Sequence, residues 1–271
     1  MNNISEEIMV KTELAVTAMG LDIGYQGEPV VQNINFTVEK GQSLALMGVN
    51  GSGKSTLLKT LIGLLPAIKG ELRIEGKGAG QSPRQIAYLS QFHTSGFILP
   101  LRAIDVVRMG RFANHGLLGK MTGADEDLIE LAMKNMRVWD LADKSLSSLS
   151  GGQQQRVHIA QVLARHANLL ILDEPTSGLD AGAREIYQEA IRNELCRGAS
   201  VITATHDIQE AMDCDQAMLL ARKVIAIGPG KDVITAQSLL ETFGIVITLN
   251  QQNLGIAVVE REHGHDSPCH D

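Results

Sequence analysis

Aromatic side chains are scarce in this sequence, only 3% of its 271 residues, although 44% are apolar. A core of aliphatic residues suits a soluble α/β domain, and a chain of this length can bury a sizeable one. One large domain is expected rather than two small ones. Long apolar runs are missing as well. None approaches the roughly 18 residues of a spanning helix, so the chain is not expected to cross a membrane unaided. The first residues, Met1-Asn2-Asn3-Ile4-Ser5-Glu6-Glu7, lack a basic stretch followed by an apolar one, which argues against a secretory signal and for a cytosolic location. Cysteine is sparse and odd in number, Cys196, Cys214 and Cys269, which argues against a disulfide framework. A formal net charge of -7 speaks against a broad nucleic-acid surface.

What the chain does have is Gly48-Val49-Asn50-Gly51-Ser52-Gly53-Lys54-Ser55-Thr56. The apolar run 43–47 before it reads as a buried strand and residues 57–65 after it as a helix. A glycine-rich turn in that setting points several backbone N–H groups at one spot, in front of the positive end of the helix dipole, and cradles phosphates. Lys54 can then reach the β and γ phosphates of a nucleotide, and the Ser55 hydroxyl is placed to ligate Mg²⁺. A turn that binds nothing is the alternative, and the strand-to-helix setting weighs against it.

Residues 14–25 and 30–38 read as β segments joined by a turn at Gly27-Glu28-Pro29, with Ile34, Phe36 and Val38 alternating with Asn35 and Thr37. Tyr25 either stacks on a nucleotide base or packs on a sheet face; spacing does not decide. Residues 70–75 and 85–89 are short strand candidates, the second leading to Gln91. From 93 to 148 the pattern turns helical, over 104–109 and 124–136. The second helix would carry Leu128, Leu131, Ala132 and Met136 on one face and Asp125, Glu126 and Asp127 in its first turn. Met109, Met133, Met136 and the single Trp139 are expected in the core of this insertion.

Leu149-Ser150-Gly151-Gly152-Gln153 opens a helix running to about residue 167. Small residues at a helix start leave N–H groups open to an anion, though Ser150 could equally be an ordinary N-cap. Residues 169–174 form an apolar strand ending in Asp173 and Glu174. Ligands of open parallel sheets lie at the carboxyl ends of strands, so these carboxylates should meet the phosphate loop. Asp173 would hold Mg²⁺, through water, and Glu174 would orient or deprotonate an attacking water; capping a turn before Pro175 is the alternative. A helix over 183–195 and a strand over 200–205 lead to His206, which can donate to a γ-phosphate oxygen but alone is more often structural. A hairpin over 217–227 and a helix over 236–243 close the pattern.

In this order the pieces resemble the ATP-binding subunit of a bacterial ABC transporter, from about Leu14 to Gly244. They comprise Tyr25, the Walker A loop 48–56, the Q-loop Gln91, the signature 149–153, Walker B 169–174, the D-loop Ser177-Gly178-Leu179-Asp180 and the switch His206. The resemblance implies an α/β P-loop NTPase fold, an ABC-type ATPase core with a small antiparallel β subdomain and an inserted α-helical subdomain at about 93–148. The ATPase domain would span 1–244 and a C-terminal extension 245–271. It implies ATP with Mg²⁺, with Gln91 beside the metal as well as the water, and Asp180 at the nucleotide. Two copies would dimerise head to tail, with Ser150 and Gly152 contacting the γ-phosphate bound by the other copy. The dimer would sit on the cytoplasmic face of a membrane and drive a separate transmembrane permease, served by an extracytoplasmic solute-binding protein. No nucleic-acid partner is implied.

Residues 97–112 are similar to the insertion found in subunits of manganese, zinc and iron importers, and somewhat to those for ferric siderophores and haem. The tail 262–271 gathers His263, His265, His270, Cys269 and acids, ligand types that suit Zn²⁺, but its spacing fits no closed site and a disordered polar tail is preferred. A soluble ABC ATPase clamping DNA or the ribosome is the rival class. It would carry two cassettes or a long coiled coil, and this chain has neither.

Overall fold

A computed structural model of the chain describes residues 13–81, 85–91, 101–115, 120–244, 246–248 and 257–259. In chain order its strands and helices are β1 (Leu14–Tyr25), β2 (Glu28–Glu39), β3 (Ser43–Met47), α1 (Lys54–Leu61), β4 (Lys69–Ile74), β5 (Lys77–Gly78) and β6 (Ile86–Leu89). There follow α2 (Ala103–His115), α3 (Gly123–Asn135), α4 (Gly151–Ala164), β7 (Leu169–Asp173), α5 (Ala181–Cys196), β8 (Ser200–Ala204), α6 (Ile208–Asp213) and β9 (Gln216–Leu220). The remainder is β10 (Val224–Gly228), α7 (Gly230–Val233), α8 (Ala236–Phe243), β11 (Val246–Thr248) and β12 (Ala257–Val259).

The central sheet runs β10-β9-β3-β8-β7-β6, parallel except for β10 at its edge, and a second, antiparallel sheet runs β2-β1-β4-β5. Every residue of β3, β7 and β8 is buried, which is why β3 after Ser43 and β7 before Asp173 read as apolar runs instead of alternating. One face of the central sheet, with Leu44, Leu46, Leu169 and Ile171, packs on α1 and on the inner face of the antiparallel sheet, Val16, Leu21, Ile34 and Val38 among them. The other face carries Leu170 and Leu172 against α2 to α5, and Ala45 and Met47 against α6 and α8. The carboxyl ends of β3, β7 and β8 therefore emerge together at one edge of the molecule, each followed by a turn.

Several local expectations are corrected. The turn after β1 is at Gln26 and Gly27, both with positive φ (52° and 86°), and Glu28 and Pro29 already belong to β2. β2 is an edge strand, where a proline lacking its N–H is tolerated. α2 runs to His115, well past residue 109. The buried face of α3 is Asp125, Ile129, Ala132 and Met133, one step around from the expected stripe; Leu131 is 53% exposed. Met133 and Met136 are fully buried, but Met109 and Trp139 lie on the surface, 41% and 39% exposed.

Asp125 explains the rotated face of α3. It forms a capping box with Thr122, its carboxylate also accepts from Arg111 of α2, and His115 Nε2 of α2 lies 2.9 Å from it. These donors, the Thr122 hydroxyl first, hold the Asp125 carboxyl well below the usual range despite its burial. Arg111 extends the network by donating to the carbonyls of Ala164 (3.2 Å) and Arg165 (2.9 Å), the C-terminal end of α4. One buried carboxylate thus fastens three helices together. The strand pair β11 and β12 lies beyond the expected closing helix, and the His-rich residues 262–271 fall outside the described residues.

Candidate functional site

The turn between β3 and α1 demands glycine at two positions. A Cβ at Gly53 would lie 2.3 Å from Val31 Cγ2, and one at Gly48 would lie 2.2 Å from the Leu220 carbonyl oxygen. Gly53 has φ 112°, and no side chain caps α1. The first N–H groups of α1 are left to a ligand, as an anion site requires. They open on a cavity of about 600 Å³ whose walls are Asn50, Gly51, Gly53, Lys54, Ser55 and Thr56 on one side and Tyr25, Pro29 and Val30 on another, closed by Gln91, Glu174 and Arg222.

Lys54 and Asp173 face each other across the loop's base. The Lys54 ammonium donates to the carbonyls of Gly48 (2.6 Å) and Val49 (3.3 Å). Burial pushes its pKa down, opposed by Glu174 and Asp173. Burial likewise raises the Asp173 carboxyl, opposed by a hydrogen bond from the Ser55 hydroxyl. Ser52 Oγ is buried without a hydrogen-bond partner among the described residues. A serine hydroxyl touching a carboxylate, with an amide side chain on the same cavity wall, is an all-oxygen donor set of the kind Mg²⁺ takes, so the residues fit that ion.

Glu174 sits just past β7 with its backbone in the left-handed region (φ 52°), its N–H donating to Ala204 O of β8 (3.0 Å). That twist turns its side chain between the ends of two other strands. Gln91 Nε2 donates to Glu174 Oε2 at 2.8 Å, and His206 Nε2 lies 2.6 Å from Glu174 Oε1. Both carboxylate oxygens are held, which fixes the rotamer. Tyr25 is 45% exposed and lines the cavity. Its hydroxyl accepts a long hydrogen bond from Thr56 (3.5 Å).

The remaining expected residues are elsewhere. Ser150 caps α4 in a capping box with Gln153, its Oγ accepting from Gln153 N (3.3 Å) and its N–H donating to Gln153 Oε1 (2.9 Å). Asp180 caps α5 through Ala183 N (2.8 Å). None of Ser150, Gly151, Gly152, Gln153 or Asp180 lines the cavity. Arg222 does, and sequence reading missed it. It lies in the turn between β9 and β10, with its N–H on Ser52 O (3.1 Å). Only the pairing of β9 with β3 brings that turn to the loop, and strand order is not written in local sequence.

A strand, a glycine-rich phosphate cradle and a lysine-led helix, faced by two carboxylates from the next strand but one, define a P-loop nucleotide-binding ATPase. Residues 31–177 match the ABC transporter family. The chain belongs to that family. It is 36% identical to the manganese transport system ATP-binding protein MntB of Bacillus subtilis (strain 168), over 82% of this chain and 89% of the relative. With the zinc transport system ATP-binding protein TroB of Treponema pallidum (strain Nichols) it shares 31% identity over 96% of each. Among solved structures, a metal-chelate type ABC transporter in an inward-facing conformation superposes with a TM-score of 0.80 at 26% identity, covering 92% of this chain and 98% of the other. A second, cbiO1 of Clostridium perfringens, part of the complex cbiONQ, gives 0.71 at 27% identity over 84% and 94%. The ABC-type ATPase fold, with its antiparallel β and α-helical subdomains, is thereby shown. Among the described residues no helix is long and apolar enough to cross a membrane.

Proposed function

We propose that this ATPase energises a membrane importer for a transition-metal ion, manganese, zinc or iron. The observation that carries the catalytic part is the pinned carboxylate of Glu174, held by Gln91 and His206 at the wall of the phosphate-loop cavity. The manganese and zinc systems named among the relatives support the cargo class. ATP would lie with its base on Tyr25 and its phosphates on residues 48–56. Ser55, Asp173 and Gln91 would hold Mg²⁺, which when bound supplies charge neutralisation at the β and γ phosphates.

Glu174 orients a water in line with the γ-phosphorus and takes its proton as the new P–O bond forms and the bond to the bridging oxygen breaks, giving ADP and phosphate. Gln91 and His206 keep the carboxylate aimed, and Lys54 offsets charge on the departing phosphate. A second copy would complete the site from the start of α4, with Ser150 and Gly152 on its γ-phosphate and Asp180 at the same seam. A separate permease, fed by an extracytoplasmic binding protein, would make the ATPase peripheral on the cytoplasmic face. The ATPase domain would end near residue 244, with 93–148 as its helical insertion. The metal-chelate type neighbour favours a chelate, such as a ferric siderophore or haem, as the second reading.

Glu174→Gln tests the catalytic role: ATP binding is retained and steady-state turnover falls at least roughly a hundredfold. Near-native turnover rejects it. Reconstitution with the cognate membrane protein, comparing ATP-driven uptake of Mn²⁺, Zn²⁺, iron and haem, tests the cargo, and uptake of none of them rejects the importer reading.

A further inference from the structure

Beneath the turn that carries His206 lies a chain of hydroxyl and carboxyl groups that the hydrolytic scheme does not use. Thr205, 2% exposed, is anchored to the end of β3 by its N–H on Leu46 O (3.0 Å). Its hydroxyl makes two further bonds, donating to Glu210 Oε2 of α6 (2.6 Å) and accepting from the Asp207 N–H (3.0 Å). One hydroxyl therefore closes the main chain around His206. On the far side, the Tyr187 ring of α5, itself 2% exposed, faces the same Glu210 carboxylate and Thr203 around one cavity. Asp207 is fixed as well, capping α6 through the N–H groups of Gln209 (2.9 Å) and Glu210 (3.2 Å) and accepting from Arg184 of α5 (3.3 Å).

Both neighbours of His206 are thus immobilised from below, while the imidazole is 44% exposed and held at its tip by Glu174. A buried hydroxyl that satisfies a carboxylate and a backbone N–H at once is costly to lose, since both partners are left unpaired. We propose that Tyr187, Glu210 and Thr205 form a positioning relay that sets the His206 ring against Glu174, through the backbone of residues 205–207. α5 contributes twice, by Tyr187 in the interior and Arg184 at the surface, and its N-cap, Asp180, lies six residues past Glu174. The helix that starts beside one catalytic group therefore braces the other. This inference rests on the roles given above to Glu174 and His206.

The test uses the full chain, with turnover at saturating ATP and nucleotide affinity measured separately. Thr205→Val keeps shape and removes the hydroxyl: turnover falls roughly tenfold, as for a slightly misplaced catalytic group, while ATP affinity stays within about twofold. Thr205→Ser restores turnover. The discriminating measurement is the His206→Ala background, in which Thr205→Val causes no further loss, because a residue acting through His206 has nothing left to position. A loss of equal size in both backgrounds overturns the relay, as does native turnover in Thr205→Val. Tyr187→Phe removes the far end with little change of volume and shows a smaller loss, again absent without His206; an undiminished loss there also overturns it. If Glu174→Gln and His206→Ala themselves turn over normally, the catalytic roles fall and the relay with them. If those two collapse while Thr205→Val is native, the relay alone is wrong.

Discussion

Glycine stands at the start of both helices, as the N-cap Gly53 of α1 and the first residue Gly151 of α4, yet the chain needs those glycines for different reasons. At Gly53 and Gly48 any side chain would strike Val31 or the Leu220 carbonyl, so the fold itself demands them. At Gly151 a Cβ would meet nothing within 4 Å, and at Gly152 only the Gly178 carbonyl at an ordinary 3.6 Å. No contact among the described residues explains a bare helix start there. The caps differ in the same sense: α1 has no side-chain cap, whereas Ser150 and Gln153 cap each other at α4. In the function proposed above, the first start holds a ligand within one chain, and the second is left small for the nucleotide brought by a second copy.

The largest effects belong to the first start. Lys54→Ala weakens ATP binding at least roughly a hundredfold, the loss of a charged partner to two phosphates (about 3 kcal/mol), and unchanged affinity in a nucleotide titration would contradict its role. Gly151→Ala sharpens the contrast next. Its own fold gains, by up to about 1 kcal/mol, because alanine is the better helix former; its turnover falls several-fold while ATP affinity of the isolated chain is kept. Equal or higher turnover would mean that nothing packs on α4. Tyr25→Ala loosens ATP roughly tenfold and Tyr25→Phe hardly at all if the ring stacks on the base; identical losses would assign the contact to the hydroxyl and Thr56.

The smallest effect concerns what seats α4. The Asp125 carboxyl is held low in the folded chain and titrates near 4 when unfolded. Below about pH 4 the unfolded chain binds the extra proton first, so this contribution to stability is full above that pH and fades as pH falls toward the folded value. Asp125→Asn lowers stability at neutral pH and flattens the acid limb of the unfolding curve. An unchanged limb in denaturant titrations at pH 3 to 6 would place the acid sensitivity elsewhere.

What could be read from sequence follows how local each cause is. The loop 48–56, the strand into Asp173 and Glu174, and His206 were legible because motif and position share a few residues. Fully buried strands such as β3 and β7 announced themselves as apolar runs. Arg222 was not legible, since its place depends on β9 lying next to β3. The face of α3 was misread because leucines were given more weight than Asp125, whose burial depends on Arg111 in another helix. Trp139 and Met109 were assigned to the core by residue type alone, and surface positions with 3% aromatics overall leave type a poor guide.

The main chain at Glu174 is twisted into a conformation that penalises any residue with a Cβ by about 1–2 kcal/mol and that asparagine or glycine tolerates better. Neither of those carries a carboxylate. With Glu174 in its proposed role, durability and turnover would pull this position in opposite directions, and a duplicated copy relieved of hydrolysis would have a downhill route to silence at this one residue.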